Sequence, residues 1–243
     1  MGVELTADGR LVYGHCERIF AAGDALSQAL QGAKAEIAPV RLGVTAALGR
    51  EALLAALDTL SEVKGLGASV FVGPREDVRE RLQKRRLDLA VAGADFSPEL
   101  GAPFRSSLVA TMPMAFVASP EYARKLRGFP RAGEAVSMLL RTPENPLRQQ
   151  VLDWLRARGG RPIVAAESDD ADLLRILAIQ GRGAVALALP AVRTDVSEGR
   201  LKVLTRGTGL VHEVWVNWPD VGVDGPVQHF IRRLPAFAAR LKA

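Results

Sequence analysis

The chain of 243 residues predicts an α/β fold of two Rossmann-like lobes joined by a two-strand hinge and preceded by a long helix. Three observations carry that expectation. Short β-rich runs alternate with helical patterns at Val40–Val44, Ser69–Val72 and Leu87–Val91. They do so again at Val136–Leu140, Ile163–Ala166 and Ala184–Leu189. Two further strand patterns, Leu108–Ala118 and His212–Trp218, sit where the chain would cross to a second lobe and return. Strands alternating with helices build parallel sheets covered on both faces, and a cleft between two such sheets suits a small ligand.

The elements follow in order. A helical pattern runs from Thr6, a candidate N-cap, to about Gln31, where Gly32 stops it. Within it Val12, His15, Ile19, Ala22, Leu26 and Ala29 recur at alternating steps of three and four, a heptad seam that favours a partner helix. Val12, Ile19 and Leu26 are its dimerisation candidates; an amphipathic helix docked on its own domain remains the alternative. After the polar hinge Gly32–Glu36 come strand 40–44, helix Arg50–Leu60, strand 69–72, helix Arg75–Arg85 and strand 87–91. The second lobe is read with helices Leu147–Arg158 and Asp169–Gln180, and Pro226–Leu241 as one closing helix. The expected division is 1–38 for the linker and dimerisation helix, 39–117 with 212–243 for the first lobe, and 118–211 for the second.

Composition narrows the function classes. A 48% hydrophobic and 24% charged chain is that of an ordinary globular protein. The single cysteine, Cys16, excludes an intrachain disulfide and a zinc site built on cysteines. The N-terminus has neither a basic region nor an apolar core of the export type, and no run approaches membrane-spanning length. A cytoplasmic place without a membrane partner is the default. The net charge of +5 invites a nucleic-acid reading, but the basic residues are dispersed, and Lys84-Arg85-Arg86 closes a helix whose dipole favours cations there.

The chemistry-bearing residues are few. Strand ends of the first lobe carry Thr45-Ala46-Ala47, Gly73-Pro74 and Gly93-Ala94-Asp95; those of the second carry Thr142–Asn145 and Ser168-Asp169. Ligands bind beyond such ends, although Thr45 and Ser168 serve equally well as plain helix caps. Glu167, Asp169, Asp170 and Asp172 form the densest acidic cluster. It reads as a cation site or as acids complementing a helix start, and consecutive positions do not converge, which favours the second reading and no metal. Gly181-Arg182-Gly183 precedes a strand rather than a helix, the wrong context for a phosphate loop. His15, His212 and His229 have no nucleophile beside them, and no hydrolase, metalloprotease or nucleotide-binding motif occurs, so neither an enzyme nor a cofactor is expected.

Read in sequence, these segments resemble a LysR-type transcriptional regulator. Leu5-Thr6-Ala7-Asp8-Gly9 is similar to the family's LTxxG end of the DNA-binding domain, and a linker-like helix ending Ala29-Leu30-Gln31-Gly32 follows. Val40–Val44, Leu82 to Val91, Leu177–Leu187 with its helix-Gly-x-Gly-strand character, and Gly199-Arg200-Leu201 continue the likeness over nearly the whole chain. Leu147–Leu155 and Glu167–Ala171 look like the subgroup of sodium/proton antiporter gene activators. The resemblance implies two lobes of periplasmic-binding-protein type (type 2), a small-molecule or ion effector in the cleft, and a homodimer or homotetramer. It places Thr45, Ala46, Pro74, Ala94, Pro143 and Ser168 around the effector. A winged helix-turn-helix would have to precede Leu5, so contact with DNA is expected only through a domain missing here. The competing readings are a free-standing solute-binding protein of the same architecture, which would call for export, and a small enzyme, which lacks a catalytic pair.

Overall fold

The computed structural model describes residues 6, 9, 12, 13, 16, 19, 20, 22, 23, 39–64, 66–126, 128–223 and 225–242. Its strands are β1 (Val40–Thr45), β2 (Ala68–Gly73), β3 (Leu89–Ala92), β4 (Phe104–Ala118), β5 (Ala135–Leu140), β6 (Arg161–Glu167), β7 (Ala184–Ala188), β8 (Lys202–Thr205) and β9 (Val211–Pro219). They lie in the order β2-β1-β3-β9-β4-β7-β5-β6, with β8 paired to β4 off that path. The two ends of the order are parallel: β1 with β2 and β3, and β5 with β6 and β7. Between them β9 and β4 run antiparallel from Phe104 opposite Pro219 to Pro113 opposite Val211. β4 then continues past Met114 to pair with β7. One strand of 15 residues thus enters both sheets, and this pair is the two-strand hinge of a two-lobed α/β fold.

Alternation along the strands explains why each sheet is covered on both faces. In the first lobe Leu42, Val44, Val214 and Val216 pack with Ala56 and Leu60 of α1 (Arg50–Leu60). Phe230 of α8 (Gly225–Arg232) and Phe237 of α9 (Leu234–Lys242) close that layer. On the opposite face Ala90 and Ala92 meet Val78 and Leu82 of α2 (Arg75–Gln83), with Leu87 and Phe96. Gly43 belongs to this face because a Cβ there would come within 2.4 Å of the Leu87 Cδ1.

In the second lobe Phe116, Met138 and Leu140 pack on Leu152 and Leu155 of α5 (Pro146–Arg156). Leu139, Val185 and Leu187 face Leu174 and Ala178 of α6 (Ala171–Ile179) and Val192 of α7 (Leu189–Ser197). Gly181 leaves α6 at φ 75°, and Gly183 packs so tightly that a Cβ would lie 2.7 Å from the Ser137 carbonyl oxygen. Both glycines serve the turn from helix to strand.

Several limits differ from expectation. β4 begins at Phe104, because Arg105-Ser106-Ser107, too polar to read as a strand, still find register partners on β9. β7 ends at Ala188, and Leu189 opens α7 with Pro190 in its first turn, where a missing N–H costs nothing. The closing helix is two, since Pro235 cannot extend α8 and instead starts α9. Short helices α3 (Ser97–Leu100) and α4 (Pro120–Lys125) and strand β8 carry too little periodicity to be read in advance.

Near the N-terminus the described residues Gly9, Val12, Tyr13, Cys16, Ile19, Phe20, Ala22 and Gly23 are helical. Thr6 Oγ1 accepts the N–H of Gly9 at 3.0 Å, as an N-cap does. Val12 and Ile19 stand 58% and 68% exposed, with Tyr13 and Phe20 beside them. Leu26, His15, Ala29 and the Gly32–Glu36 hinge lie outside the described residues. Among the described residues no helix is long and apolar enough to cross a membrane.

Candidate ligand-binding cleft

Right-handed parallel crossovers leave the carboxyl ends of β1, β2 and β3 side by side, and the loops beyond them form one wall of a cavity of about 330 Å³. Thr45, Ala46, Ala47, Pro74, Arg75 and Ala94 stand on that wall. The opposite wall is the start of α5, with Asn145 and Leu147, together with Asp169 from the loop after β6. The floor is hinge strand β9, where His212 lies between Val211 and Glu213.

Four residues placed around the effector by resemblance, Thr45, Ala46, Pro74 and Ala94, line this cavity; Pro143 and Ser168 do not. Their near neighbours Asn145 and Asp169 take the second-lobe wall instead. Ser168 Oγ accepts the N–H of Asp170 at 3.0 Å, and Pro143 is exposed in the turn before α5. The cap of α6 is Asp170, whose carboxylate accepts from the N–H groups of Asp172 and Leu173, so the helix starts two residues after Asp169 rather than at it.

The acids around α6 are spent on separate partners. Glu167 pairs with Arg148 at 2.5 Å, Asp169 accepts from Thr142 Oγ1 at 2.7 Å and Asn145 Nδ2 at 2.9 Å, and Asp172 faces Arg175 and Arg50. Among the described residues no group of three or more His, Cys, Asp or Glu is placed to hold a metal ion.

Arg141, at the end of β5, joins the walls. Its Nη1 donates to the Asp169 carbonyl at 2.7 Å and its Nη2 to the Ala47 carbonyl at 2.9 Å, one acceptor from each lobe. Burial lowers its pKa to about 10 against the pull of Asp169, Asp170 and Asp172, so it remains a cation at neutral pH. Close by, α1 presents Glu51, whose carboxyl burial pushes up, with Asp172 adding to the rise.

Sequence reasoning passed over His212. It lies on the buried side of β9 with Val214 and Val216, and an inward histidine on an alternating strand was the available signal. The residue is 5% exposed, and among the described residues its ring has no hydrogen-bond partner. Burial, helped by the Arg141 charge, drops its pKa to about 3, so the imidazole is neutral. Gly93 makes room for it: a Cβ there would stand 3.0 Å from His212 Nε2. Thr45, 3% exposed, occupies the cap position of the 3-10 turn Ala46–Leu48, yet among the described residues its Oγ1 has no hydrogen-bond partner.

Two lobes, a hinge of two antiparallel strands and a cavity at the strand ends define a ligand-binding domain of periplasmic-binding-protein-like type. Residues 34–239 match the family described as the LysR substrate binding domain, and the chain belongs to that family. No curated protein matches the sequence. Solved structures share the fold at low identity. The regulatory domain of HypT from Salmonella typhimurium, in its apo form, is 18% identical with a TM-score of 0.65, covering 84% of this chain and 96% of its own. Vibrio fischeri DarR in complex with DNA is 18% identical with a TM-score of 0.68, covering 96% of this chain and 80% of its own. The reduced OxyR regulatory domain from Pseudomonas aeruginosa is 15% identical with a TM-score of 0.62, covering 84% and 96%.

The neutral His212 links stability to pH. With its folded pKa below the unfolded one, the unfolded chain binds more protons between about pH 3 and 6.5, so stability falls as pH falls through that window. The ring's share at pH 5 is a loss of about 2 kcal/mol relative to pH 7. Denaturant unfolding at the two pH values should show His212→Gln losing less than wild type by that amount; equal losses would contradict a buried neutral ring.

Proposed function

We propose that this chain is the effector-sensing and oligomerisation portion of a LysR-type DNA-binding regulator, in which a small ligand or ion between the lobes modulates transcription. The observation that carries the reading is the cleft itself. Its walls come from two lobes tied by β4 and β9, and Thr45 and His212 keep unspent hydrogen-bonding groups in it. A ligand touching both walls changes the balance between lobe arrangements by its differential affinity for them. The work is binding rather than catalysis.

Thr45, Ala46, Pro74 and Ala94 serve as effector contacts in this reading, while Pro143 and Ser168 shape the loops behind Asn145 and Asp169. The lobe limits 39–117 with 212–243 and 118–211 go with it, as does a cytoplasmic place. DNA is reached through a winged helix-turn-helix joined before Leu5. Likeness to the sodium/proton antiporter gene activators puts sodium and lithium among the effectors to try, although the acids of residues 167–172 are already paired. The helix bearing Val12, Ile19 and, by its heptad spacing, Leu26 supplies a dimer seam, supported by the exposure of Val12, Tyr13, Ile19 and Phe20. A free-standing solute-binding protein has no use for such a seam.

Two measurements test this. In a thermal-shift screen against a broad set of small metabolites and alkali salts, at least one compound should raise the melting temperature saturably. Ala94→Trp, which fills the cavity, should abolish that rise while keeping native circular dichroism. A flat screen, or a rise indifferent to Ala94→Trp, would contradict the cleft as an effector site. In sedimentation, Ile19→Asp should halve the mass of the wild-type oligomer or lower its association constant at least tenfold; an unchanged mass distribution would remove the helix from the interface.

A further inference from the structure

The proposal that follows rests on the effector reading and names what the cleft takes. Each polar group around the cavity is either committed within the protein or free. Asp169 is committed to Thr142 and Asn145, and the amide oxygen of Asn145 caps the N–H of Leu147. The Arg75 guanidinium is tied to Glu76 and Glu99, and the Glu213 carboxylate accepts from the Trp215 indole. The charged side chains of the lining therefore have partners within the protein, and the partners of Asp169 and Glu213 are neutral donors that leave each carboxylate its charge.

Beside the Gln150 amide, the groups left free include a set of donors. Helix α2 is nine residues long and begins at the cavity rim with Pro74 as its N-cap, a residue whose side chain cannot cap, so the N–H groups of its first turn have no side-chain acceptor. Thr45 Oγ1 has no partner among the described residues. His212, nine-tenths buried and without a hydrogen-bond partner among the described residues, presents a neutral ring with one N–H to give. The Arg141 guanidinium, held by two carbonyls, adds to the burial that keeps this ring neutral. A ligand that satisfies these groups offers acceptor oxygens to the first turn of α2, Thr45 and His212 and turns them away from the Asp169 and Glu213 carboxylates. A cation would meet the wrong end of α2.

We propose that the cleft binds a small organic carboxylate, with its oxygens at the first turn of α2 and the Thr45 hydroxyl and with His212 as the anchoring donor on the hinge strand. Because His212 sits on β9, the anchored ligand touches the element that joins the lobes. The volume of about 330 Å³ suits a molecule no larger than a substituted benzoate.

The test titrates the protein with acetate, propionate, benzoate and salicylate, alongside the matching amides and amines, at constant ionic strength and neutral pH. Binding is read by calorimetry and melting temperature. At least one carboxylate should bind saturably, its amide at least tenfold more weakly, and its amine not at all. His212→Phe, which keeps the ring volume, and Thr45→Val should each weaken that carboxylate by roughly fivefold or more, with circular dichroism and the wild-type oligomer retained. His212→Gln, which restores a donor, should recover part of the loss seen in His212→Phe. Saturable binding of an amide or amine that equals or exceeds the acid would overturn the ligand class, as would carboxylate affinity unmoved by His212→Phe. So would the absence of any carboxylate response. In each of these cases an Ala94→Trp-sensitive rise in the broader metabolite screen would still uphold the cleft as an effector site, so the two readings fail separately.

Discussion

The Arg141 guanidinium, buried where the lobes meet, is the contact on which the cleft depends. It donates to Ala47 in the first lobe and Asp169 in the second, and no carboxylate neutralises it directly. Charge-assisted hydrogen bonds of this kind contribute about 1.5–3 kcal/mol each, and a buried cation that loses an acceptor costs more than that. The Ala47 turn and the Asp169 loop are thereby held at one separation, which fixes the width of the cavity between them. Arg148 holds the Arg141 carbonyl at 2.6 Å, tying the start of α5 to the same point. From that position the cation adds to the burial that keeps His212 neutral.

The hinge explains why so local a contact has a wide effect. β4 and β9 share ladder pairs from Phe104 to Pro113, and β4 runs on into the second sheet, so the lobes are joined by continuous backbone. A pair of strands resists sliding but bends, and the side opposite the bend must be fixed by side chains. Arg141 does this with support from the Arg50–Asp172 approach at 3.8 Å. Gly49 carries the first-lobe turn at φ 81°, a backbone conformation that favours glycine. A ligand that enters this cleft works against a defined set of contacts, which is what a two-state sensor needs.

Much of the architecture was legible in the sequence because it rests on periodicity. Leu42 and Val44, or Met138 and Leu140, alternate with residues of the other face, and α1 and α6 show their apolar stripes plainly. The first-lobe wall was legible for the same reason: Thr45, Pro74 and Ala94 follow strands that end in small or turn-forming residues. The second-lobe wall was not. Asn145 and Asp169, rather than Pro143 and Ser168, line the cavity because Pro146 sets the start of α5 and Asp170 caps α6, details that depend on which of several adjacent polar residues wins the cap. Arg141 and His212 were invisible for a deeper reason. A charged residue after a strand reads as surface, and only three-dimensional packing shows that its partners are main-chain carbonyls, one of them from the other lobe. The two-part C-terminal helix and β8 follow from tertiary context that local pattern does not encode.

If Arg141 sets the separation of the lobes, removing its guanidinium must change that separation. Small-angle scattering of Arg141→Gln beside wild type measures that separation directly. The expected result is a larger radius of gyration and a changed pair-distance distribution, with circular dichroism and oligomeric state preserved. Superimposable scattering curves would show that the lobes hold their arrangement without the guanidinium, and would contradict its role.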